Sequence, residues 1–447
     1  MKALLVGMLL LPGASLAAEQ ALDPFVVQLD LRESIADLPS RSISLTAALD
    51  EALEQNLDLA LARADEQIAR EGHYVANAAL YPALEVGLFA RRLDGQVQGS
   101  FGNLRDVTYS TYTGGVALVY RANIPARLKQ GFAERQKVQA AHLDRLNTEQ
   151  RLLLRVVELY QDLLLAGVAV QITGDVVTGS EQFLRVARAR TEGGLALGAD
   201  VARAEAKLAA DRQAFIQARN LMVNSSTRLA VVLRRDVDTI LLPAESRLAR
   251  ASYTPASAQD PQARPDVQAA DRRAAAADRF VSSARWELYA PELQAQVTHL
   301  QIGDAPEDLN GRDERAGLLL WNLSPAVVGQ LRQRRAEKHG AGLQLARLTE
   351  RAAGEIRRAE ADLAAADDRI PLAGQGLGAA TDALRLSEAR FRAGTAIALE
   401  VLDAQDVLAQ ARFNLAQAIV EFNSAQARLL AASGTIERAS FLPASGP

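Results

Sequence analysis

The sequence predicts a mainly α-helical fold made of two related halves, each carrying one hairpin of β-strands. Three observations predict it. One segment recurs further along the chain without a gap, two helical stretches are exceptionally long, and two pairs of alternating runs have the length of membrane strands. Long helices and short alternating strands in one repeated order predict an elongated architecture of helices with a small sheet.

The composition excludes several classes of protein. The chain has 447 residues and a formal net charge of −4, from 50 basic and 54 acidic residues. A nucleic-acid-binding protein would show a clustered basic surplus, so nucleic acid is not an expected partner. Cysteine is absent, which excludes disulfides, thiol nucleophiles and a lipidated N-terminal Cys. Aromatic residues make up only 5%, so large side chains for a globular core are few.

Residues 1–18 have the pattern of a cleaved signal peptide. Lys2 precedes an apolar run, and small residues follow up to Ala18. The alternative is a buried N-terminal helix. The mature chain is therefore expected to start near Glu19, outside the cytoplasm. No later run reaches the ~18 apolar residues of a transmembrane helix, so entry into a membrane would require a β-barrel.

The duplication divides the chain. Residues 184–229 align with 384–429 without a gap, and the pairs shared include glycines and arginines as well as the less informative alanines. We predict a first repeat at 19–235, a linker at 236–262, a second repeat at 263–433 and a flexible tail at 434–447. The linker contains three prolines and is expected to form a surface belt with little regular structure.

Each half contains two strand-like runs. The four runs are 83–92, 108–121, 292–301 and 315–323, and in them apolar and polar residues alternate. Segments 93–107 and 302–314 are rich in Gly and Asp, as expected of loops. Each run of ~9–12 residues suits a tilted membrane strand. A soluble hairpin with one wet face would alternate identically, so the strands alone do not decide between the two environments.

The helix lengths favour a tall tube. The stretches 126–192 and 326–392 are both helix-like throughout, and each would be about 100 Å long as a continuous helix. The shorter helical stretches 46–79 and 199–233, stacked end to end, nearly equal one long stretch. In the second half the stretches 263–289 and 399–432 together fall short of the long one, so the match is poorer.

The long helical stretches also contain helix breakers near mid-length. Pro371 is followed by three glycines, and Gly174 and Gly179 lie in the first long stretch. These residues predict a bend or break in both helices.

The chain resembles the TolC-like outer-membrane efflux family. Three segments carry the resemblance, namely Ile43 to Pro82, Arg264-Pro265-Asp266-Val267 to Pro291, and Gly394-Thr395 to Gln405. Their order and their duplication make the match specific, although no single motif decides it. Two departures occur, because Arg121 to Pro125 replaces the family's glycine-rich turn, and the N-terminal Cys of lipoprotein members is missing.

The resemblance implies a homotrimer. Three copies with four membrane strands each would close a twelve-stranded transmembrane β-barrel in outer-membrane lipid, since an open sheet edge does not persist there. The long helices would form an α-helical barrel through the periplasm of a Gram-negative bacterium. In this family a periplasmic adaptor (membrane fusion) protein and an inner-membrane pump bind at its lower end.

The candidate gate lies at the two turns that contain Gly194 and Gly394. By resemblance, Glu400 and Asp403 occupy the family's pore-lining positions, and they share a helix face. A trimer would collect six such carboxylates into a ring that favours cations. Asp406 extends this face as a weaker candidate. The alternative is structural, because the helix dipole favours acidic residues in a first turn without any function.

Asp200 is the second candidate of the gate. In the archetypal member of the family, an Asp at the matching position bonds to a Tyr and an Arg that keep the tip closed. Those partners are Phe391 and Ala396 in this chain. The resemblance therefore implies a tip that is closed by other contacts or is closed more loosely.

Nothing in the sequence indicates catalysis. The four histidines are scattered, so we expect no metal site, and no P-loop, nucleophile elbow or acid–base pair occurs. We expect no cofactor and no enzyme activity. The predicted function is a passive outer-membrane conduit of a tripartite export system for small molecules. The alternatives are a conduit for type I protein secretion, and a soluble periplasmic coiled-coil adaptor.

Overall fold

Long helices and one four-stranded sheet make up the protein. The computed structural model describes residues 26–29, 39–98, 100–193, 198–253 and 260–441, so the predicted signal peptide lies outside the described residues. The helices are α1 (Leu45–Gln55), α2 (Leu57–Ala78), α3 (Ile124–Glu192), α4 (Gly198–Leu233), α5 (Pro265–Tyr289), α6 (Pro325–Arg392) and α7 (Ala398–Ala432). The strands are β1 (Val27–Gln28), β2 (Ser40–Ile43), β3 (Ala83–Gln98), β4 (Leu104–Ala122), β5 (Ile240–Pro243), β6 (Arg247–Leu248), β7 (Glu292–Gly303) and β8 (Asn310–Leu320).

The predicted single helix 46–79 is two helices, separated at Asn56. This residue has an extended backbone, and its side-chain oxygen accepts hydrogen bonds from the backbone N–H groups of Asp58 and Leu59. Its amide nitrogen donates to the carbonyl of Val232 at the end of α4. Asn56 therefore caps α2 and holds the junction of the two short helices against α4.

The four long strands form one antiparallel sheet in the order β3-β4-β7-β8. All four runs were predicted as strands, but several bounds were wrong. Strand pairing extends through most of the predicted loop 93–107, since Ala83 to Gln98 pair with Val119 to Leu104. The second hairpin likewise closes around 304–309, and β8 ends at Leu320.

The two long helices run without interruption. Helix α3 has 69 residues and α6 has 68 residues, so the glycines of α3 and Pro371 of α6 do not break them. Pro371 has no N–H to offer the Asp367 carbonyl, so the helix continues with one backbone hydrogen bond fewer at this exposed residue. No helix in the described part of the chain is both long enough and apolar enough to cross a membrane.

The turn before α3 links the two halves. The side-chain oxygen of Asn123 accepts a hydrogen bond from the Ala126 N–H and so caps α3. Its amide nitrogen donates to the carbonyls of Trp286 and Ala290, at 3.0 and 2.8 Å. This segment, which departs from the family's glycine-rich turn, thus fastens the base of one hairpin to the base of the other.

The linker forms the belt, defined here as β1, β2 and the described residues of 236–262. It has more regular structure than predicted, because β2 pairs in parallel with β5 and β1 pairs with β6. Asn423 and Gln426 of α7 bind the belt backbone at Ala251. The main hydrophobic core lies beneath the belt, where α3 contributes Tyr160 and Leu163.

The chain after Gly434 was predicted to be flexible, but its described part packs against the body. Residues Arg438–Phe441 form a turn of 3-10 helix, and the Phe441 ring lies edge-on against Tyr253 of the belt at 4.8 Å. Arg438 donates two hydrogen bonds to Asp50 of α1. The tail therefore ties the end of the second half to the first.

Candidate functional site

The turn between α6 and α7 is a defined helix cap. Gly394 has a φ of +76°, and its N–H donates to the Phe391 carbonyl at 3.1 Å. The Thr395 N–H donates to the Arg390 carbonyl at 2.9 Å. Both bonds together are a Schellman motif, which needs a residue with positive φ and so favours glycine. Gly194, the predicted counterpart, lies outside the described residues.

Glu400 and Asp403 lie in the first turns of α7, but their surroundings differ. The Glu400 carboxylate forms an ion pair with Arg390 across the turn, at 2.9 Å. Asp403 is exposed, and in the described part of the chain no hydrogen bond or ion pair engages it. The two carboxylates were predicted to be equivalent, and the contact of Glu400 with Arg390 was not predicted, although a basic residue in the last turn of α6 is visible in the sequence. Asp403 is the carboxylate left open to solvent.

Asp200 lies in the first turn of α4 and is partly buried. It forms an ion pair with Arg203, one helical turn away at 3.9 Å. An acidic residue in this position also interacts favourably with the dipole of α4.

Phe391 packs at the end of α6 against the end of α3. Its ring lies 5.6 Å from that of Phe183, and the Arg190 guanidinium stacks on it at 4.6 Å. Arg190 also donates to the Phe391 carbonyl at 3.4 Å. A ring without a hydroxyl group still joins the two long helices here, through apolar and cation–π contacts.

A partly buried ionic network lies about two to three helical turns above the tip and was not predicted. The Lys207 ammonium of α4 donates to Asp211 on its own helix and to Asp406 of α7, the latter at 2.7 Å. Ser180 of α3 donates to the buried Asp211 at 2.5 Å. Burial lowers the pKa of Lys207, but the two carboxylates outweigh it and leave the pKa raised. Asp406, predicted as part of the acidic face, is therefore neutralised.

No cluster of three His, Asp or Glu side chains that could hold a metal ion occurs among the described residues. The groups that these turns bring together are a solvent-exposed carboxylate, two cross-helix arginine contacts and a half-buried lysine. The arginine contacts hold the helix ends together, and the carboxylate and the lysine determine the charge near the tip.

Solved outer-membrane channels have the same fold. The CmeC outer membrane channel of Campylobacter jejuni superposes with a TM-score of 0.81 at 15% identity, covering 96% of this chain and 94% of that one. The outer membrane protein VceC of Vibrio cholerae gives 0.76 at 19% identity, covering 87% and 96%. The open-state MtrE outer membrane channel of Neisseria gonorrhoeae gives 0.75 at 19% identity, covering 89% and 90%. At these identities the likeness establishes the fold.

Sequence comparison gives the family. A search of curated proteins found no match. The family described as outer membrane efflux protein matches residues 48–233 and 319–435, which together are more than half of the chain. These segments contain much of both predicted repeats, the whole first hairpin of β3 and β4, and the turn with Gly394. The chain therefore belongs to the outer membrane efflux protein family.

Proposed function

We propose that three copies of this efflux channel protein form a passive conduit for small molecules, as the outer-membrane component of a tripartite export system. Membership in the outer membrane efflux protein family supports an outer-membrane location, and the helices are proposed to extend from there into the periplasm. Within the described residues, β3 and β8 are the two edges of the sheet and lack a partner on one side. Because unpaired edges are excluded from lipid, each β3 edge requires the β8 edge of another copy.

The sides of the helical body support the same assembly. On α2, Leu61, Ile68 and Val75 are all more than 60% exposed and recur at heptad spacing. Apolar residues at this spacing form the packing face of a coiled coil, and here that face is exposed. Helix α2 precedes the β3 edge, and α6 follows the β8 edge and exposes Leu343 and Leu372. One copy's α2 side is therefore proposed to pack against the next copy's α6 side.

The helix lengths suit a tunnel. Helices α1, α2 and α4 have 11, 22 and 36 residues, and together they equal the 69 residues of α3. In the second half α5 and α7 have 25 and 35 residues, and together they fall somewhat short of the 68 residues of α6. In the first half, short helices stacked beside the long one give a wall of constant height over about 100 Å. This match is the observation that carries the proposal.

Within this conduit, Asp403 is proposed as the principal pore carboxylate. It is exposed, whereas Arg390 partly neutralises Glu400 and Lys207 neutralises Asp406. Three copies would bring three unpaired carboxylates together at the tip and so attract cations. Adaptor and pump partners are proposed from family membership and would act at this end.

The first experiment tests the trimer and the pore. The purified protein should migrate as a heat-modifiable trimer on a denaturing gel, and its reconstituted channel should be blocked by a trivalent cation such as La³⁺. Asp403→Asn should weaken this block about tenfold or more. Asp382→Asn, which removes an exposed carboxylate from α6, should leave it unchanged. A soluble monomer without channel activity would refute the conduit, and equal block of both variants would refute the role of Asp403.

The second experiment introduces the latch of the archetypal member. Phe391→Tyr combined with Ala396→Arg supplies Asp200 with the hydroxyl and guanidinium groups found in the archetypal member. We expect a lower single-channel conductance than in the natural protein. An unchanged conductance would mean that the loss of the latch does not determine how this tip closes.

A further inference from the structure

The belt distinguishes the two faces of the helical body. It is bound by three helices, through Tyr160 of α3, Asp367 of α6 and Gln426 of α7. The Tyr160 hydroxyl donates to the Ile43 carbonyl at 3.1 Å, Arg250 of the belt pairs with Asp367 at 2.7 Å, and Gln426 donates to the Ala251 carbonyl at 2.9 Å. These side chains mark the belt face of each helix.

Three arginines lie on the opposite face. Arg151 precedes Tyr160 by nine residues, and Arg358 precedes Asp367 by nine residues. Nine residues are about 2.5 turns of an α-helix, which places each arginine about 180° from the belt. Arg428 follows Gln426 by two residues and so lies about 200° away from it. If the belt surrounds the trimer, this face lines the tunnel.

A groove on this face lies where the start of α5 meets the end of α7. Its volume of ≈ 590 Å³ is within the range of small-molecule sites. Four arginines of α3, α6 and α7 line it, together with Arg264, the residue before α5. The lining arginines are Arg151, Arg264, Arg351, Arg358 and Arg428, and the lining acids are Asp266, Glu355 and Asp362.

Most of these charges neutralise one another. Arg264 donates to both oxygens of Asp266, at 3.0 and 2.8 Å, and also to Glu355 at 2.6 Å. Arg351 binds the other oxygen of Glu355 at 2.7 Å. Arg428 pairs with Glu158 of α3 at 2.7 Å. Two acids and three arginines of the groove are thus already occupied.

Two arginines of the groove, Arg151 and Arg358, take no part in these pairs. Within the described residues neither guanidinium has a hydrogen bond or an ion pair, and both are exposed and line the groove, Arg151 from α3 and Arg358 from α6. The charge of Arg151 also acts at longer range on Asp266, which Arg264 already binds, and on Asp144 outside the groove. Asp362, one turn after Arg358, is the single lining carboxylate that is also unpaired there. Two unpaired guanidiniums against one unpaired carboxylate leave an excess of positive charge. Apolar groups of Leu154 and Leu348 complete the lining.

We infer that this groove is a binding station for organic anions that carry an apolar body and a sulfonate or carboxylate head group. The forked N–H groups of arginine match such head groups in geometry, and Leu154 and Leu348 offer contacts for the apolar part. This inference extends the proposed conduit function. It depends on that proposal only for the statement that the groove faces the tunnel. The head group of the anion would replace the water around Arg151 and Arg358. The negative charge of Asp362 would oppose its binding.

The test measures binding directly, without requiring conduction. Naphthalene-2-sulfonate is titrated calorimetrically into the full-length protein in lipid nanodiscs, and the neutral naphthalene-2-sulfonamide is the matched probe. We expect Arg151→Gln and Arg358→Gln each to weaken sulfonate binding about tenfold, and Asp362→Asn to tighten it severalfold. Arg357→Gln is the control, because Arg357 is 86% exposed, pairs with Glu360 and does not line the groove.

The outcomes separate this inference from the conduit. Equal binding by the natural protein, Arg151→Gln and Arg358→Gln would overturn the station, as would equal loss in Arg357→Gln or no sulfonate binding at all. Melting temperature and trimer content verify that each variant is folded. A protein that binds the sulfonate but does not conduct would retain the station and refute the conduit. A protein that conducts, but whose arginine variants bind the sulfonate as well as the natural protein does, would retain the conduit and refute the station.

Discussion

The two halves of the duplicated chain have similar elements in different surroundings. The long helix of the first half, α3, buries 23 of its residues, whereas α6 of the second half buries eight. The reason is position, because α3 packs against α2 and α4 on one side and α5 and α7 on the other, while α6 packs against α5 and α7. Duplication thus repeats the elements and leaves one copy at the centre of the protomer and the other at its edge.

The same contrast holds at the tip. Arg190 and Arg390 occupy corresponding positions of the duplicated segment, yet Arg190 stacks on Phe391 across the halves and Arg390 pairs with Glu400 within its own half. Corresponding residues therefore diverge where one helix has a neighbour that its counterpart lacks. An internal repeat predicts the backbone better than it predicts contacts.

The largest effect is expected at Arg264, which fastens the second half at the belt level. Arg264→Ala removes hydrogen bonds to Asp266, Glu355 and the Ala432 carbonyl and should destabilise the protein by about 2–3 kcal/mol, because a partly buried pair loses one partner. In the first half, Glu51 is the one side chain that Arg235 binds within the described part of the chain, so Arg235→Ala should cost about 1–2 kcal/mol. Helix unfolding by circular dichroism in urea measures both. An equal loss in the two variants would contradict the asymmetry, and Arg357→Ala on the surface should cost less than ~1 kcal/mol.

Acid should remove this fastening. Burial raises the pKa of Asp266 and of Glu355, but hydrogen bonds from Arg264 outweigh it and leave both pKa values lowered. A lowered folded-state pKa contributes stability above the unfolded pKa, which is about 4 for these side chains, and this contribution disappears as pH falls through the folded-state value. The melting-temperature gap between natural protein and Arg264→Ala should therefore shrink from about pH 7 to about pH 3. A constant gap would show that the carboxylates do not act through Arg264.

The helix ends of the two halves offer a smaller test. Arg234 and Gly434 are again corresponding positions of the repeat, and they cap α4 and α7 with φ of 57° and 71°. Gly434→Ala should cost about 1–2 kcal/mol for the left-handed backbone, and its Cβ would also lie 3.0 Å from the Arg264 Cα. Arg234→Gly should stabilise by about 0.5–1 kcal/mol, since glycine tolerates this backbone. Urea midpoints of the two variants should move in opposite directions, and movement in the same direction would contradict the shared cap geometry.

The smallest effect is expected at the break that only the first half contains. Asn56→Ala removes the cap of α2 and the hydrogen bond to Val232, at an expected cost of about 1 kcal/mol. Asn224→Ala, within the exposed face of α4, is the matched control and should be nearly neutral. Thermal unfolding monitored by circular dichroism compares them. An Asn56 variant as stable as the control would mean that the cap is dispensable.

Much of this fold was predictable from spacing. The long helices begin and end close to their predicted bounds, because their caps Asn123 and Gly394 are local signals. The break at Asn56 was missed although the Asn-Leu-Asp order is a helix-start signal, since the apolar spacing continues through it. The belt strands were not predictable, because each is very short and has its partner on the far side of the first repeat.

The candidate site was less predictable for a related reason. The acidic residues of α7 could be placed on one face from their spacing, but their neutralisation depends on Arg390 and Lys207, which reach them across a turn and from another helix. The distinction between Glu400 and Asp403 therefore comes from tertiary contacts. The groove with Arg151 and Arg358 joins residues from different halves of the chain, and no local motif indicates it.

The belt also implies an order of events during assembly. Strands β1 and β2 leave the export machinery first, yet their partners β6 and β5 follow only after α4. The N-terminal strands must therefore remain unpaired while the whole first hairpin and its helices are delivered. Asn423 and Gln426, which hold the belt from α7, arrive nearly last. The belt can then close only once a protomer has been completely delivered.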